Sequence, residues 1–87
     1  MAKYSLTFKK SVSKDLRAIP NSDVDRILNK IKQLADNPRP VDCTKLSGSE
    51  KYRIRQGNYR VIYEIKDSVL VVCVIKVAHR SNVYKNN

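Results

Sequence analysis

Residues Lys51–Ile65 read KYRIRQGNYRVIYEI. Gly57-Asn58 is a two-residue hairpin signal, and glycine in the first place suits a type II′ turn. Counting outward pairs Gln56 with Tyr59, Arg55 with Arg60, Ile54 with Val61, Arg53 with Ile62, Tyr52 with Tyr63 and Lys51 with Glu64. Strand side chains alternate between faces. This register therefore sorts Tyr52, Ile54, Tyr59, Val61, Tyr63 and Ile65 onto one side, and Arg53, Arg55 and Arg60 onto the other. A slip of one residue would mix the two sets, so the pairing is self-consistent. The apolar side needs a cover. The other side poses a question, because like charges directly opposed across a strand pair are destabilising.

The cover is supplied upstream. Lys3–Phe8 alternates as a strand. Val12, Leu16 and Ile19 then recur at helical spacing among Lys9, Lys10, Lys14 and Arg17, until Pro20 stops that helix. A second helix follows, with Asn21 or Ser22 as its cap and Asp23 and Asp25 at its positive end. Val24, Ile27, Leu28, Ile31, Leu34 and Ala35 form its apolar stripe, which suits the core. Asn37–Pro40 ends it, and a loop runs to Glu50. Past the hairpin, Val69–Val77 is almost continuously apolar and β-branched, as a strand covered on both faces would be. The order strand, helix, helix, strand, strand, strand predicts one α+β domain over residues 1–87, with two helices packed on an antiparallel sheet.

Composition narrows the function classes. In 87 residues, 41% hydrophobic content is enough for one core and not two. No apolar run approaches the length of a membrane span. The opening MAKYSLTFKK lacks the apolar stretch and cleavage site of a secretory signal, so a cytoplasmic protein is expected. Cys43 and Cys73 are not in C-x-x-C spacing, and a single histidine cannot complete a zinc site with them, so neither metal nor cofactor is expected. The net charge is +10. Lys and Arg outnumber Asp and Glu by 10 to 6 over residues 1–50 and by 8 to 2 over residues 51–87. Such an excess fits nucleic acid, and an acidic protein partner as well.

The arginines carry the sharper signal. No carboxylate is evident among Arg53, Arg55 and Arg60 in the hairpin pattern. A guanidinium stays protonated, and its planar fork matches phosphate oxygens. A rigid sheet that gathers three of them suits an external anion, phosphate above all; the plain alternative is three solvated arginines. The tail VAHRSNVYKNN adds Arg80, His79 and Tyr84. His79 could transfer a proton near neutral pH or be a surface imidazole. Tyr84 could stack on an RNA base or clip the tail to the sheet.

From Lys45 to Tyr84 the pattern KLSG, KYRIRQGNYRVIYEIKD and VIKVAHRSNVY resembles the RelE family of the RelE/ParE toxin–antitoxin superfamily. The likeness spans nearly the whole chain. It implies a ribosome-dependent endoribonuclease that cuts mRNA in the ribosomal A site and is inhibited by a RelB-like antitoxin. Carried over residue by residue, Arg53 and Arg55 stand at two basic positions, Arg60 in NYRVIY and Arg80 in HR match family arginines, and Tyr84 matches a C-terminal tyrosine. His79 occupies a neighbouring basic position. Lys45, Lys51 and Lys85 are expected RNA contacts. Relatives often carry lysine where Arg53 and Arg55 stand; arginine does not give up its proton, so no general base is expected there. The implied reaction is attack by a ribose 2′-hydroxyl on the adjacent phosphate, with no metal required. The chain lacks the paired acid and base of a self-sufficient nuclease, which fits an enzyme whose substrate is positioned by a large partner. Two alternatives share the scaffold: a ParE-like inhibitor of DNA gyrase with no chemistry of its own, and a nuclease-dead binding module.

Overall fold

The structure is a computed structural model and describes residues 3–48 and 50–83. Its elements are β1 (Ser5–Phe8), α1 (Lys10–Arg17), α2 (Asn21–Gln33), β2 (Thr44–Lys45), β3 (Lys51–Gln56), β4 (Tyr59–Lys66), β5 (Val71–His79) and α3 (Arg80–Val83). The central hairpin forms as its turn dictates. Gly57 takes φ +59 and Asn58 does not go positive, the signature of a type II′ turn. The β3–β4 pairing runs from Gln56↔Tyr59 through Arg55↔Arg60 to Lys51↔Glu64, in the register expected.

The sheet order is β1-β5-β4-β3-β2. β1 and β2 are thus the two edges, and α1 and α2 carry the chain across one face from the first edge to the last. β2 through β5 then meander back antiparallel. The sheet is mixed rather than wholly antiparallel, because β5 arrives beside β1 running the same way, from Ser5↔Val71 to Phe8↔Val74. Strand direction leaves no trace in local alternation, so the pattern alone could not supply it.

The core fills the space between helices and sheet. Val12 of α1, Ile27 and Ile31 of α2, and Leu34 just past it meet Tyr52, Ile54, Val61, Tyr63, Val72, Val74 and Val77. Tyr63 is fully buried; its ring stacks on Tyr52 at 5.8 Å and its hydroxyl donates to the Pro38 carbonyl at 2.8 Å. That bond satisfies a polar group that would be costly to bury alone.

Several boundaries differ from the sequence reading. β1 starts at Ser5, not Lys3. The cap of α2 is Pro20, and Asn21 already lies inside the helix; neither Asn21 nor Ser22 makes a capping hydrogen bond. The loop after α2 contains the two-residue β2, too short to show a period. Val69 falls in a short 3-10 turn at Asp67–Val69, and Leu70 takes a left-handed φ of 54°, so the last strand begins at Val71 and runs to His79. β5 is also covered fully on one face only: Val72, Val74 and Val77 are buried, while Val71, Cys73 and Ile75 are half-buried.

The burial spacing of β5 has one cause. Tyr63 pairs with Val74 but Ile62 pairs with Lys76, which leaves Ile75 as an extra residue. This β-bulge advances the alternation by one, so that Val77 rather than Lys76 turns inward. Everything beyond it changes face, including His79.

Candidate active site

Three elements bring four arginines together. β3 supplies Arg53 and Arg55, β4 supplies Arg60, and α3 begins with Arg80. The Arg80 N–H donates to the Asn58 carbonyl at 2.7 Å, which fastens the start of α3 to the hairpin turn. Arg55 stands opposite Arg60, with Arg53 on the same face opposite Ile62. This is the sheet face away from the helices. Arg60 is 6% exposed, the one charged residue buried among the described residues.

Burial first, and then the charges of Arg53, Arg55 and Arg80, hold the Arg60 pKa below its ordinary value. A guanidinium still remains protonated there. The direction of the shift nonetheless records that the folded chain holds this charge at a cost, from desolvation and like-charge repulsion. Among the described residues, ion pairs form elsewhere, at Lys3–Asp36, Arg26–Asp23, Lys30–Asp42, Arg39–Asp67 and Lys76–Asp15; Arg53, Arg55 and Arg80 take part in none of them. Such a cluster is built to receive an anion, and it would gain most from one whose charge grows during reaction.

Beside it lies a groove of about 400 Å³ at the open edge of β3, lined by Asp42, Thr44, Arg53, Ile54, Arg55 and Gly57. Thr44 stands opposite Arg53 across the β2–β3 pair. Sequence reasoning missed this wall, since a two-residue strand gives no periodic signal.

The other expected residues divide. Lys51 is on the arginine face, opposite Glu64. Lys45 is exposed but stands opposite Tyr52, hence on the other face by register. Tyr84 and Lys85 lie outside the described residues. His79 is not brought to the arginines. It stands opposite Tyr59 on the core side, and the two rings meet edge-on at 5.5 Å and 88°. Its Nδ1 accepts the Ser81 N–H at 3.2 Å and lies 2.9 Å from the Ser81 hydroxyl. The neutral ring accordingly carries its proton on Nε2. Among the described residues, the cluster contains permanent charge but no side chain that titrates near neutral pH. No group of three His, Cys, Asp or Glu is gathered among them either, and no helix is long and apolar enough to cross a membrane.

Known proteins share this fold. The family model for the ParE toxin of type II toxin-antitoxin systems matches residues 6–84. A RelE1 toxin candidate of Methanocaldococcus jannaschii is 33% identical over 97% of this chain and 98% of its own length. The mRNA interferase toxin RelE of Escherichia coli is 30% identical over 93% of this chain and 90% of its own. In the archaeal RelE–RelB complex of Pyrococcus horikoshii, the matching chain superposes with a TM-score of 0.82 at 32% identity, covering 94% of this chain and 99% of that one. Fold, helix order and sequence agree along nearly the full length, and the chain belongs to the RelE/ParE superfamily of type II toxins, on its RelE branch.

Proposed function

We propose that the chain is an mRNA interferase that cuts mRNA in the ribosomal A site. The observation that carries this reading is Arg60, buried and crowded by Arg53, Arg55 and Arg80. The 2′-hydroxyl oxygen attacks the adjacent phosphorus and the P–O5′ bond breaks. The products are a 2′,3′-cyclic phosphate and a free 5′-hydroxyl. Arg60 and Arg80 grip the non-bridging oxygens as their charge develops, while Arg53 and Arg55 hold the backbone from β3. Guanidinium groups thereby supply the positive charge that a metal would otherwise bring, and the reaction needs none. One proton must leave the 2′-hydroxyl and one must reach O5′. The arginines cannot accept the first, so these transfers fall to Tyr84 or to a group of the ribosome. His79, on the far face and engaged by Ser81, is poorly placed for them. A large partner that bends the RNA into line supplies the orientation that this small chain lacks.

The inhibitor is a RelB-like antitoxin, as the complexed relatives suggest. Its contact segment is acidic or amphipathic, to cover a basic face. The setting is the cytoplasm, where mRNA and ribosomes meet.

A second reading follows from the family model, which is that of ParE: inhibition of DNA gyrase without chemistry. Brief induction of the chain, with and without a translation inhibitor, separates the two. New 5′ ends in translated mRNA that vanish when translation stops support the interferase. A DNA-damage response over intact mRNA rejects it.

A further inference from the structure

We infer that His79 is a positioning residue for Arg80: its neutral imidazole caps the start of α3, and the cap is lost when the ring takes a second proton. The inference rests on the interferase reading above, in which Arg80 grips the scissile phosphate.

β5 ends at His79, and Arg80 is the first residue of α3. The start of a helix leaves backbone N–H groups without partners inside it. Two of them are taken up from outside here. The Arg80 N–H donates to the Asn58 carbonyl at 2.7 Å. The Ser81 N–H donates to His79 Nδ1 at 3.2 Å. That is the bond an N-cap side chain makes to the second helical residue, with a ring nitrogen in place of the usual oxygen. The Arg80 backbone is thus held on both sides, by the hairpin turn and by the end of β5. The ring is held in turn, since it meets Tyr59 edge-on at 5.5 Å. The bulge at Ile75 turns it that way and off the arginine face. Arg80 meanwhile lies close enough to Arg60 for its charge to act there. His79 therefore reaches the cluster through the backbone, without touching RNA.

A histidine makes this cap conditional. Asn, Ser and Thr cap helices without changing charge, whereas imidazole ordinarily changes charge between about pH 5 and 8. The second proton turns Nδ1 from acceptor into donor. The Ser81 hydroxyl, 2.9 Å away, can accept from it, but the Ser81 N–H loses its acceptor. The charged and titratable groups around the ring are Tyr59 of β4, Lys14 and Asp15 of α1, Lys76 of β5, and Arg80 next in the chain. Asp15 is the one carboxylate in that set. It is already engaged by Lys76 at 3.0 Å and by the Val77 N–H at 3.1 Å. Protonation therefore exchanges the cap for one more positive charge beside Arg80.

The test compares the full chain with His79→Phe and His79→Asn. Phenylalanine keeps a ring against Tyr59 and lacks the acceptor; asparagine keeps an acceptor, as a preferred cap, and does not titrate. Single-turnover cleavage on programmed ribosomes is followed from about pH 8 down to about pH 5.5, across the imidazole range, with circular dichroism at each pH as the control for folding. At the upper end His79→Phe is expected to cut about five- to tenfold more slowly than the parent, the scale of one lost hydrogen bond, and His79→Asn to recover most of that loss. As pH falls, the ratio of parent to His79→Asn rates should drop with a one-proton slope toward the His79→Phe level. The chain has a single histidine, so its imidazole signal is unambiguous by NMR. In the free chain the Ser81 amide signal should titrate together with it. A folded His79→Phe chain as fast as the parent, or a parent-to-Asn ratio that stays flat with pH, overturns the inference and leaves the interferase reading standing. A Ser81 amide that ignores the imidazole titration overturns it as well, without recourse to the ribosome. If His79→Phe does not fold, the parent-to-Asn ratio and the Ser81 amide decide by themselves. If no chain cuts mRNA at any pH, the interferase reading falls, and this inference with it.

Discussion

Arg60 joins two properties that ordinarily exclude each other. It is buried, and it is surrounded by charge of its own sign. A residue kept in that state stabilises something other than the free fold, and phosphate is the anion its planar fork fits. Replacing Arg60 with alanine is expected to lower the cleavage rate by about 10²–10³, the scale of losing one preorganised donor to a developing oxyanion. Arg60→Lys keeps a charge and loses the fork, and should recover only part of that loss; single-turnover cleavage on programmed ribosomes measures both. Full activity in Arg60→Ala would remove this residue from the site. Arg55 gives the complementary measurement. It is exposed and directly opposes Arg60, so Arg55→Thr removes a like-charge pair and puts a good strand former in its place. That variant is expected to melt higher than the parent while cutting more slowly. The gain should shrink as salt is raised, because the repulsion it relieves is screened.

At the scale of elements, the end of β5 decides which side chains reach the arginines. β1 pairs with β5 only as far as Val74, and α1 takes its place beyond that point. There the Asp15 carboxylate accepts the Val77 N–H, a backbone donor that no strand pairs on that side. Asp15→Ala is expected to destabilise the fold by about 1–3 kcal/mol, the cost of leaving a largely buried donor unsatisfied. Urea unfolding gives that number, and hydrogen exchange at Val77 should lose protection with it. Unchanged exchange at Val77 would show that α1 does not hold this strand end. The same region explains what could be read in the sequence. The Gly57-Asn58 turn fixes its hairpin by local chemistry, so register, faces and arginine side were all legible. The α2 stripe was legible for a similar reason, because burial writes its period into the chain. The bulge at Ile75 was not. Strict alternation from Val72 would turn Val77 and His79 to the arginine face, and only tertiary pairing adds the extra residue that turns them to the core. His79 therefore looked like an active-site neighbour by adjacency to Arg80, and the fold parts the two. β2 and α3 were too short to leave a period, and the direction of β1 depends on a crossover that no local pattern records.

Across the whole molecule, the net charge of +10 that suits this protein to an anionic partner also limits the carboxylates available to hold it together. Asp67 serves three segments at once. Arg39, from the loop after α2, donates to its two oxygens at 3.2 and 2.7 Å, and Tyr4, ahead of β1, donates its hydroxyl at 2.6 Å. Arg39 also donates to the Tyr52 hydroxyl at 3.1 Å and lies over that ring, which connects the surface cluster to the core. The hydrogen bonds from Arg39, and next from Tyr4, hold the Asp67 pKa at about 2, below its ordinary 3.8. With the folded pKa depressed, the unfolded chain binds more protons in this window, so stability rises with pH across it. The contribution is whole above about pH 4 and is lost as pH falls towards 2. Because all three groups are reachable by solvent, the effect should weaken in high salt. Asp67→Asn is expected to be less stable than the parent at neutral pH and to approach it in acid, since protonation of Asp67 does to the parent what the substitution has already done. Urea midpoints for both chains from pH 6 down to pH 2 measure the convergence. Parallel curves would mean that Asp67 is solvated like any surface carboxylate, and that the β1 edge is held by the core alone.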